Sequence, residues 1–167
     1  METQTYLKLK NKPKDNFPEM IIVHHSAASE NQTVKSIEDY HLSLGWEGVG
    51  YQYLITKLGE VWKGRPEHYH GSHCKEQSMN TKSIGICLIG DFDKKLPTEA
   101  QKNTLITLMN DIIKRYPIKD IVPHRHFLGN PPYKTCFGSL LKNTWAKDLI
   151  SNKEKIKLQI IELLKQL

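Results

Sequence analysis

The chain is poor in cysteine and has no long apolar run. Its 167 residues include three cysteines, an odd number that does not fit a disulfide framework. No segment approaches the roughly 18 consecutive apolar residues that predict a membrane-spanning helix, and no internal repeat is visible. The first ten residues lack the apolar core of a signal peptide. We therefore expect one globular domain that is made in the cytoplasm.

An excess of positive charge is the clearest compositional signal. The formal net charge is +6, with 24 Lys and Arg residues against 18 Asp and Glu residues. Such a balance favours polyanionic partners, which include nucleic acid, an anionic membrane and a cell-wall polymer. A solvated surface that happens to be basic explains the charge as well, so composition does not choose among these classes.

Two predicted helices have clear start signals. Apolar residues at helical spacing predict a helix over 33–44, with Thr33 as its N-cap. A second helix begins at Thr98, which can form a capping box with Gln101, and it continues to residue 116. The predicted strands are two buried runs at 20–24 and 83–90, a hairpin at 51–56 and 60–63, and a short strand at 120–122.

The two ends of the chain differ from its middle. Residues 1–18 are rich in lysine and are interpreted as an extended arm, with a short edge strand at 6–9. Residues 142–167 predict a long helix with an apolar stripe and many lysines. Such a helix can pack its stripe on the domain, or it can lie on an anionic membrane. The predicted organisation is an arm at 1–18, a main domain at 19–141 and a helical extension at 142–167.

Three side chains that are far apart in the sequence have the donor types of a zinc site. His24 ends the first buried strand, His124 follows the short strand, and Cys136 lies in a polar loop. Two imidazoles and a thiolate are typical ligands of a catalytic zinc ion, with the fourth position left for water. The residues therefore favour metal-assisted hydrolysis as the leading hypothesis.

The residues beside these three leave some assignments open. His25 and His126 alternate to the opposite face of an extended segment, and His126 is the harder of the two to exclude. Lys134 points the same way as Cys136 in an extended loop, where it is either a surface charge or an oxyanion stabiliser. Tyr51 opens a predicted strand, and ordinary packing also explains it. No Glu stands out as a general base.

A series of short motifs follows in order from about residue 20 to residue 140. They are Ile22-Val23-His24-His25-Ser26-Ala27, Tyr40-His41-Leu42-Ser43-Leu44-Gly45-Trp46, Val49-Gly50-Tyr51-Gln52-Tyr53-Leu54-Ile55, Gly71-Ser72-His73, Asn80, Ser83-Ile84-Gly85-Ile86-Cys87-Leu88-Ile89-Gly90, His124 and Lys134-Thr135-Cys136. The series resembles the zinc-dependent N-acetylmuramoyl-L-alanine amidases of type two, which have the peptidoglycan-recognition-protein fold. The likeness is strongest to amidase-type phage endolysins.

The resemblance implies an α/β fold with a mixed, mainly parallel central sheet flanked by helices. It also implies hydrolysis of the amide between N-acetylmuramic acid and L-alanine in peptidoglycan, by water that one zinc ion per chain activates. The implied site residues are His24, His124 and Cys136 for zinc, Tyr51 and Lys134 for catalysis, and His73 and Asn80 for substrate binding. The chain would be a monomeric endolysin or autolysin whose main domain is catalytic and which acts on the cell wall after release.

Two other functions are compatible with the same resemblance. The fold can bind peptidoglycan without cleaving it, although members of that kind are expected to lack the cysteine ligand that this chain has at Cys136. Some relatives also bind and inhibit a phage RNA polymerase, and the basic arm at 1–18 could serve such a partner. An anionic membrane that contacts the helix at 142–167 is the remaining partner considered.

Overall fold

A computed structural model describes residues 4–5, 14–151 and 164 of the chain. The strands are β1 (Gln4–Thr5), β2 (Met20–His25), β3 (Tyr53–Ile55), β4 (Val61–Lys63), β5 (Ser83–Leu88) and β6 (Asp120–Pro123). The helices are α1 (Val34–Ser43) and α2 (Glu99–Arg115), with 3-10 segments at Glu76–Thr81 and His124–Phe127 and a further helical stretch over 145–151. Within these residues, no helix has the length and apolar character needed to cross a membrane.

The described strands form one sheet in the order β1-β4-β3-β5-β2-β6. All neighbouring pairs are parallel except β3 and β4, which form the predicted hairpin. The predicted mixed, mainly parallel sheet is therefore confirmed. Strands β2 and β5 lie side by side at its centre, and all their residues except Met20 are buried. Burial on both faces explains why these two strands are almost continuously apolar in sequence.

Helix α2 covers one face of the sheet. It begins as predicted, because Thr98 and Gln101 each accept a hydrogen bond from the other's backbone N–H at 3.1 Å. Burying each large apolar side chain on this face stabilises the fold by about 1.5–3 kcal/mol. The buried cluster between α2 and the central strands includes Ile21, Val23, Ile84, Ile86, Leu105, Met109 and Ile112.

Helix α1 covers part of the opposite face. It begins after Thr33, whose side chain caps the helix as predicted. Val34 and Ile37 pack with Leu54 and Cys87 in a second buried cluster. Cys87 is fully buried, as expected for a cysteine within an apolar strand. The rest of this face, around β2, is covered by the two 3-10 segments and the neighbouring loop instead of an α-helix, and the candidate site forms there.

Two segments in the middle of the chain differ from the sequence-based expectation. Strand β3 begins at Tyr53, so Tyr51 lies in the bend before the strand and does not open it. The backbone N–H of Gln52 already bonds to the Gly85 carbonyl at 3.0 Å, which anchors this bend to β5. The 3-10 segment Glu76–Thr81 lies outside the predicted helices and strands.

The ends of the chain are described only in part. The edge strand expected at 6–9 lies outside the described residues, although Gln4–Thr5 pairs with β4. The helix expected over 142–167 is described over 145–151, where Trp145 and Leu149 pack on the main core. The apolar stripe beyond residue 151 lies outside the described part, apart from the exposed Leu164. The choice between packing and membrane contact therefore stays a prediction.

His41 connects α1 to the turn that precedes Tyr51. Its side chain is buried, and its Nδ1 accepts a hydrogen bond from the Gly50 N–H at 3.1 Å. The imidazole also lies against Trp46, with 4.6 Å between the ring centroids. Burial lowers the pKa of His41 to about 4. The ring is therefore neutral in the folded protein at neutral pH, as its role as an acceptor requires.

We expect His41→Gln to flatten the pH dependence of stability below neutral pH. In the unfolded chain a histidine titrates near pH 6.5, so between that value and about 4 the unfolded state binds one more proton at His41. Stability is therefore lost as the pH falls through this window, by up to about 1.4 kcal/mol per pH unit for each such proton. Urea unfolding near pH 7 and near pH 5 measures the difference.

The matched control is His126→Gln, which removes an exposed imidazole. Other buried histidines also contribute to the pH dependence of stability in every variant. The quantity to compare is therefore the difference in that dependence between the wild type and His41→Gln, which should correspond to about one proton. If the pH dependence of stability is unchanged in His41→Gln, His41 is not held neutral in the folded protein.

Candidate active site

His24 lies at the carboxyl end of β2, on the face that α2 does not cover. Alternation along the strand places its side chain on the same side as Ile22. His24 is 1% exposed, and each of its ring nitrogens has a defined neighbour. Nδ1 lies 3.6 Å from Cys136 Sγ, and Nε2 lies 3.0 Å from His73 Nδ1.

Three potential metal ligands converge at this point. One donor atom from each of His24, His124 and Cys136 lies within 4.8 Å of the other two. Because β2 and β6 are parallel neighbours, their carboxyl ends meet at the same edge of the sheet. His126 is exposed, and His25 points to the other face, where its Nδ1 accepts a backbone hydrogen bond. The structure thus brings together the three predicted residues and leaves out the two neighbouring histidines.

Burial sets the protonation of these three groups when no metal is bound. It lowers the pKa of His24 well below the usual range, and His124 adds to this shift. It also lowers the pKa of His124, against the opposing effect of the Glu76 carboxylate. The pKa of the Cys136 thiol is raised by burial to about 12, while the charge of Lys134 acts the other way. The imidazoles are therefore ready to bind a metal, whereas the thiol must first release its proton.

The contact between His24 and His73 fits a metal ion on His24. A ligating nitrogen must present a lone pair, so a metal at Nδ1 requires the proton on Nε2. That proton has an acceptor in His73 Nδ1, 3.0 Å away. Two imidazoles and a thiol are also the donor types of zinc sites. The residues present therefore fit a zinc ion.

His73 lies beneath this cluster because two glycines leave room for its ring. A Cβ at Gly85 would lie 2.5 Å from His73 Cδ2, and a Cβ at Gly71 would lie 2.3 Å from the same atom. Asn80 Oδ1 accepts the backbone N–H groups of His73 and the next residue, each at 2.8 Å. Burial lowers the pKa of His73 to about 3, so the ring that supports His24 is neutral.

Tyr51 and Lys134 border the cluster. The Tyr51 ring centroid lies 5.1 Å from that of His24. Burial raises the pKa of the Tyr51 hydroxyl well above its usual range, so the group remains a hydrogen-bond donor. Lys134 is exposed, and its charge lowers the pKa of both His124 and Cys136. The two predicted catalytic side chains thus lie beside the potential ligands.

Arg125 fixes the loop that carries Cys136, and the sequence patterns did not identify it. Its guanidinium donates to the carbonyl oxygens of Thr135 at 3.0 Å and Gly138 at 2.6 Å. Its backbone N–H donates to the Cys136 carbonyl at 2.7 Å. These partners are backbone carbonyls, which no pattern of side chains reveals, and the Arg125 Nε also donates to Asn143 Oδ1 at 2.6 Å.

Glu76 is a second residue that the sequence patterns missed. Its Oε2 lies 3.4 Å from His124 Nε2, and its Oε1 accepts a hydrogen bond from the Tyr133 hydroxyl at 3.2 Å. Glu76 and His124 are 48 residues apart, and no spacing rule connects them. Only the folded chain brings this carboxylate to the potential ligands.

One known protein family matches most of the chain. The family described as N-acetylmuramoyl-L-alanine amidase matches residues 14–139. The endolysin of Enterobacteria phage T3 is 34% identical over 148 residues, which are 84% of this chain and 93% of that protein. The endolysin of Escherichia phage T7 is 36% identical over 135 residues, covering 77% of this chain and 85% of that one.

A solved structure has the same fold. It is the N-acetylmuramoyl-L-alanine amidase LysC from Clostridium intestinale URNW, which superposes with a TM-score of 0.78 at 28% sequence identity. The match covers 92% of this chain and 98% of the other. The similarity therefore extends over nearly the whole of both chains.

We expect Gly85→Ala to destabilise the fold through His73. The added Cβ would overlap the imidazole, at 2.5 Å from its Cδ2, and overpacking of this kind costs about 1–3 kcal/mol. In a His73→Ala background the overlap disappears, so the same substitution should cost clearly less. Urea unfolding of the four proteins of this double-mutant cycle measures the coupling.

Gly45→Ala is the control for this cycle. Gly45 has a φ of +80°, and a Cβ added there would meet no atom of the described residues within 4 Å. Its cost therefore arises from backbone strain and is independent of His73. Equal costs for Gly85→Ala in both backgrounds would show that His73 does not depend on this glycine.

Proposed function

The chain belongs to the N-acetylmuramoyl-L-alanine amidase family and is a peptidoglycan amidase, and on that basis we propose that it uses one zinc ion held by His24, His124 and Cys136. The observation that carries the proposal is the convergence of these three donors within 4.8 Å, from three separate segments. The neutral state of both imidazoles supports it further. Because its substrate is peptidoglycan, the protein acts on the cell wall.

The proposed reaction is hydrolysis of the amide between N-acetylmuramic acid and L-alanine. When bound, zinc lowers the pKa of a bound water toward about 7 and polarises the scissile carbonyl. The carbonyl oxygen gains negative charge as its carbon becomes tetrahedral. Lys134 and Tyr51 donate hydrogen bonds to that oxygen and so stabilise the transition state. The raised pKa of the Tyr51 hydroxyl supports this role, because the group keeps its proton.

His73 and Asn80 are proposed to act through the ligands. His73 accepts the Nε2 proton of His24 and so holds the tautomer in which Nδ1 faces the metal. Asn80 fixes the backbone of His73. Direct contact of these two residues with substrate, as the resemblance implies, stays a prediction.

The alternative functions have less support. A module that only binds peptidoglycan has no need of a thiol beside two imidazoles, and Cys136 Sγ lies 3.6 Å from His24 Nδ1. Binding of an RNA polymerase by the arm at 1–18 stays a prediction, since most of the arm lies outside the described residues. Membrane contact by the helix expected over 142–167 and a monomeric state also stay predictions.

We expect Cys136→Ser and His24→Ala to lose both zinc and amidase activity, because a site with three protein ligands tolerates no loss among them. The purified wild type should carry about one zinc per chain. Metal analysis and release of stem peptides from purified peptidoglycan measure the two properties.

Two histidines provide the internal comparison. His126→Ala should retain zinc, because that side chain is exposed and lies outside the cluster, whereas His124→Ala should lose it. The reverse order would mean that the wrong histidine has been assigned. Full activity in Cys136→Ser would refute the proposed ligand set.

We expect Lys134→Ala and Tyr51→Phe to keep zinc and to slow turnover. Each variant removes one donor to the developing oxyanion, which is worth on the order of 10²–10³ in rate. The assay is turnover on purified peptidoglycan at equal zinc content. Wild-type turnover in either variant would remove that residue from the mechanism, and loss of zinc would show that its role is not separate from metal binding.

A further inference from the structure

The Glu76 carboxylate is engaged by three polar groups at the edge of the ligand cluster. Oε2 lies 3.4 Å from His124 Nε2 and 3.6 Å from the Cys74 thiol. Oε1 accepts the Tyr133 hydroxyl at 3.2 Å. The side chains of Glu76 and His124 are 19% and 15% exposed, so water screens their interaction only in part.

The backbone that carries Glu76 is well anchored. Glu76 begins the 3-10 segment Glu76–Thr81, which contains the buried Met79. The carbonyl of Met79 accepts the Ser83 hydroxyl at 2.6 Å, which ties the segment to β5. On the other side, Asn80 Oδ1 accepts the Cys74 N–H at 2.8 Å. These bonds anchor the residues on both sides of Glu76, whereas Gln77 and Ser78, between Glu76 and Met79, have a non-helical backbone with φ of +51° and +60°. The carboxylate itself is positioned by its contacts with His124, Cys74 and Tyr133.

An imidazole that donates one N–H has its lone pair on the other nitrogen. If His124 Nε2 donates to Glu76, His124 Nδ1 is the nitrogen that is free to bind a metal. Carboxylate partners of this kind orient metal-binding histidines and raise their basicity, and their loss costs about 10–100-fold in metal affinity. His24 has the same arrangement, because its Nε2 contacts His73 and its Nδ1 is the nitrogen proposed to bind the metal.

We propose that Glu76 is a positioning residue that holds His124 in the tautomer and orientation in which Nδ1 binds the metal. The inference rests on the proposed zinc site and extends it to a residue outside the ligand set. Because Oε1 is bonded to Tyr133, the same carboxylate also connects His124 to the exposed end of the loop at 129–133. Glu76 thus connects the 3-10 segment that begins at His124 with the loop at 129–133.

A second arrangement of the same atoms has to be distinguished. Donor atoms of Cys74, Glu76 and His124 also lie within 4.8 Å of one another, so they could form a ligand set of their own. The first set offers two imidazoles and a thiol, which are the donor types of a catalytic zinc site, whereas this second set offers a single imidazole. The donor types therefore favour a positioning role for Glu76.

The test is the zinc affinity of variants, measured by competition with a chromophoric chelator. Glu76→Ala should bind zinc about 10–100-fold more weakly than the wild type. Glu76→Gln should recover part of the loss, because its amide oxygen can still accept the His124 N–H. Glu60→Ala is the matched control, since it removes an exposed carboxylate before β4 and should leave affinity unchanged. The melting temperature of the zinc-free variants checks that folding is intact.

Nitrogen-15 NMR of the histidine rings tests the tautomer in the unmodified protein. We expect zinc on His124 Nδ1 and a proton on Nε2. Zinc on Nε2 would overturn the inference, and so would a Glu76→Ala affinity within about twofold of the wild type. The NMR result decides the matter even if Glu76→Ala does not fold.

The outcomes also separate this inference from the proposed function. If Cys136→Ser loses zinc while both Glu76 variants bind it normally, only the inference fails. If the wild type binds no zinc, the proposed function fails. If Cys74→Ser loses as much zinc affinity as Cys136→Ser, the set of Cys74, Glu76 and His124 binds the metal, and the positioning role is overturned.

Discussion

The parallel pairing of β2 with β6 is the constraint on which the candidate site depends. The register aligns Val23 with Pro123, so His24 and His124 follow at the same level of the sheet. A slip of β2 by one residue would turn His25 toward the ligand cluster and His24 toward α2. Strand β2 is buried on both faces, and a slip would exchange the residues that pack on α2 with those that pack on the opposite face. The packing on both faces therefore prevents such a slip.

The elements with strong local signals could be predicted from the sequence. The apolar strands β2 and β5, the capping box at Thr98 and the N-cap at Thr33 were all recognisable from residue types and spacing. The start of β3 was not, because the bend at Tyr51 is held by a hydrogen bond from the Gln52 N–H to the carbonyl of Gly85 in the distant strand β5. Tertiary contacts of this kind leave no trace in a local pattern.

The residues of the candidate site also fall into two groups, those that the sequence indicates and those that only the fold reveals. The donor types of His24, His124 and Cys136 carry their chemistry in the side chain, so the sequence alone could indicate them. The residues that hold those donors in place could not be found in this way. Arg125 bonds to loop carbonyls, Glu76 reaches a histidine 48 residues away, and Gly85 matters only because the His73 ring lies over it. Their roles are properties of the folded arrangement.

The backbone bond between Arg125 and Cys136 has a consequence for how the protein can change. It closes the chain between these residues into a loop whose two ends are fixed at 2.7 Å, while residues 129–135 are all exposed. Lengthening a loop that is already closed costs little, about 0.6 kcal/mol for each doubling. Residues can therefore be inserted or replaced over 129–132 without displacing Cys136. This stretch is the natural place to vary the sequence of the protein beside an unaltered set of potential ligands.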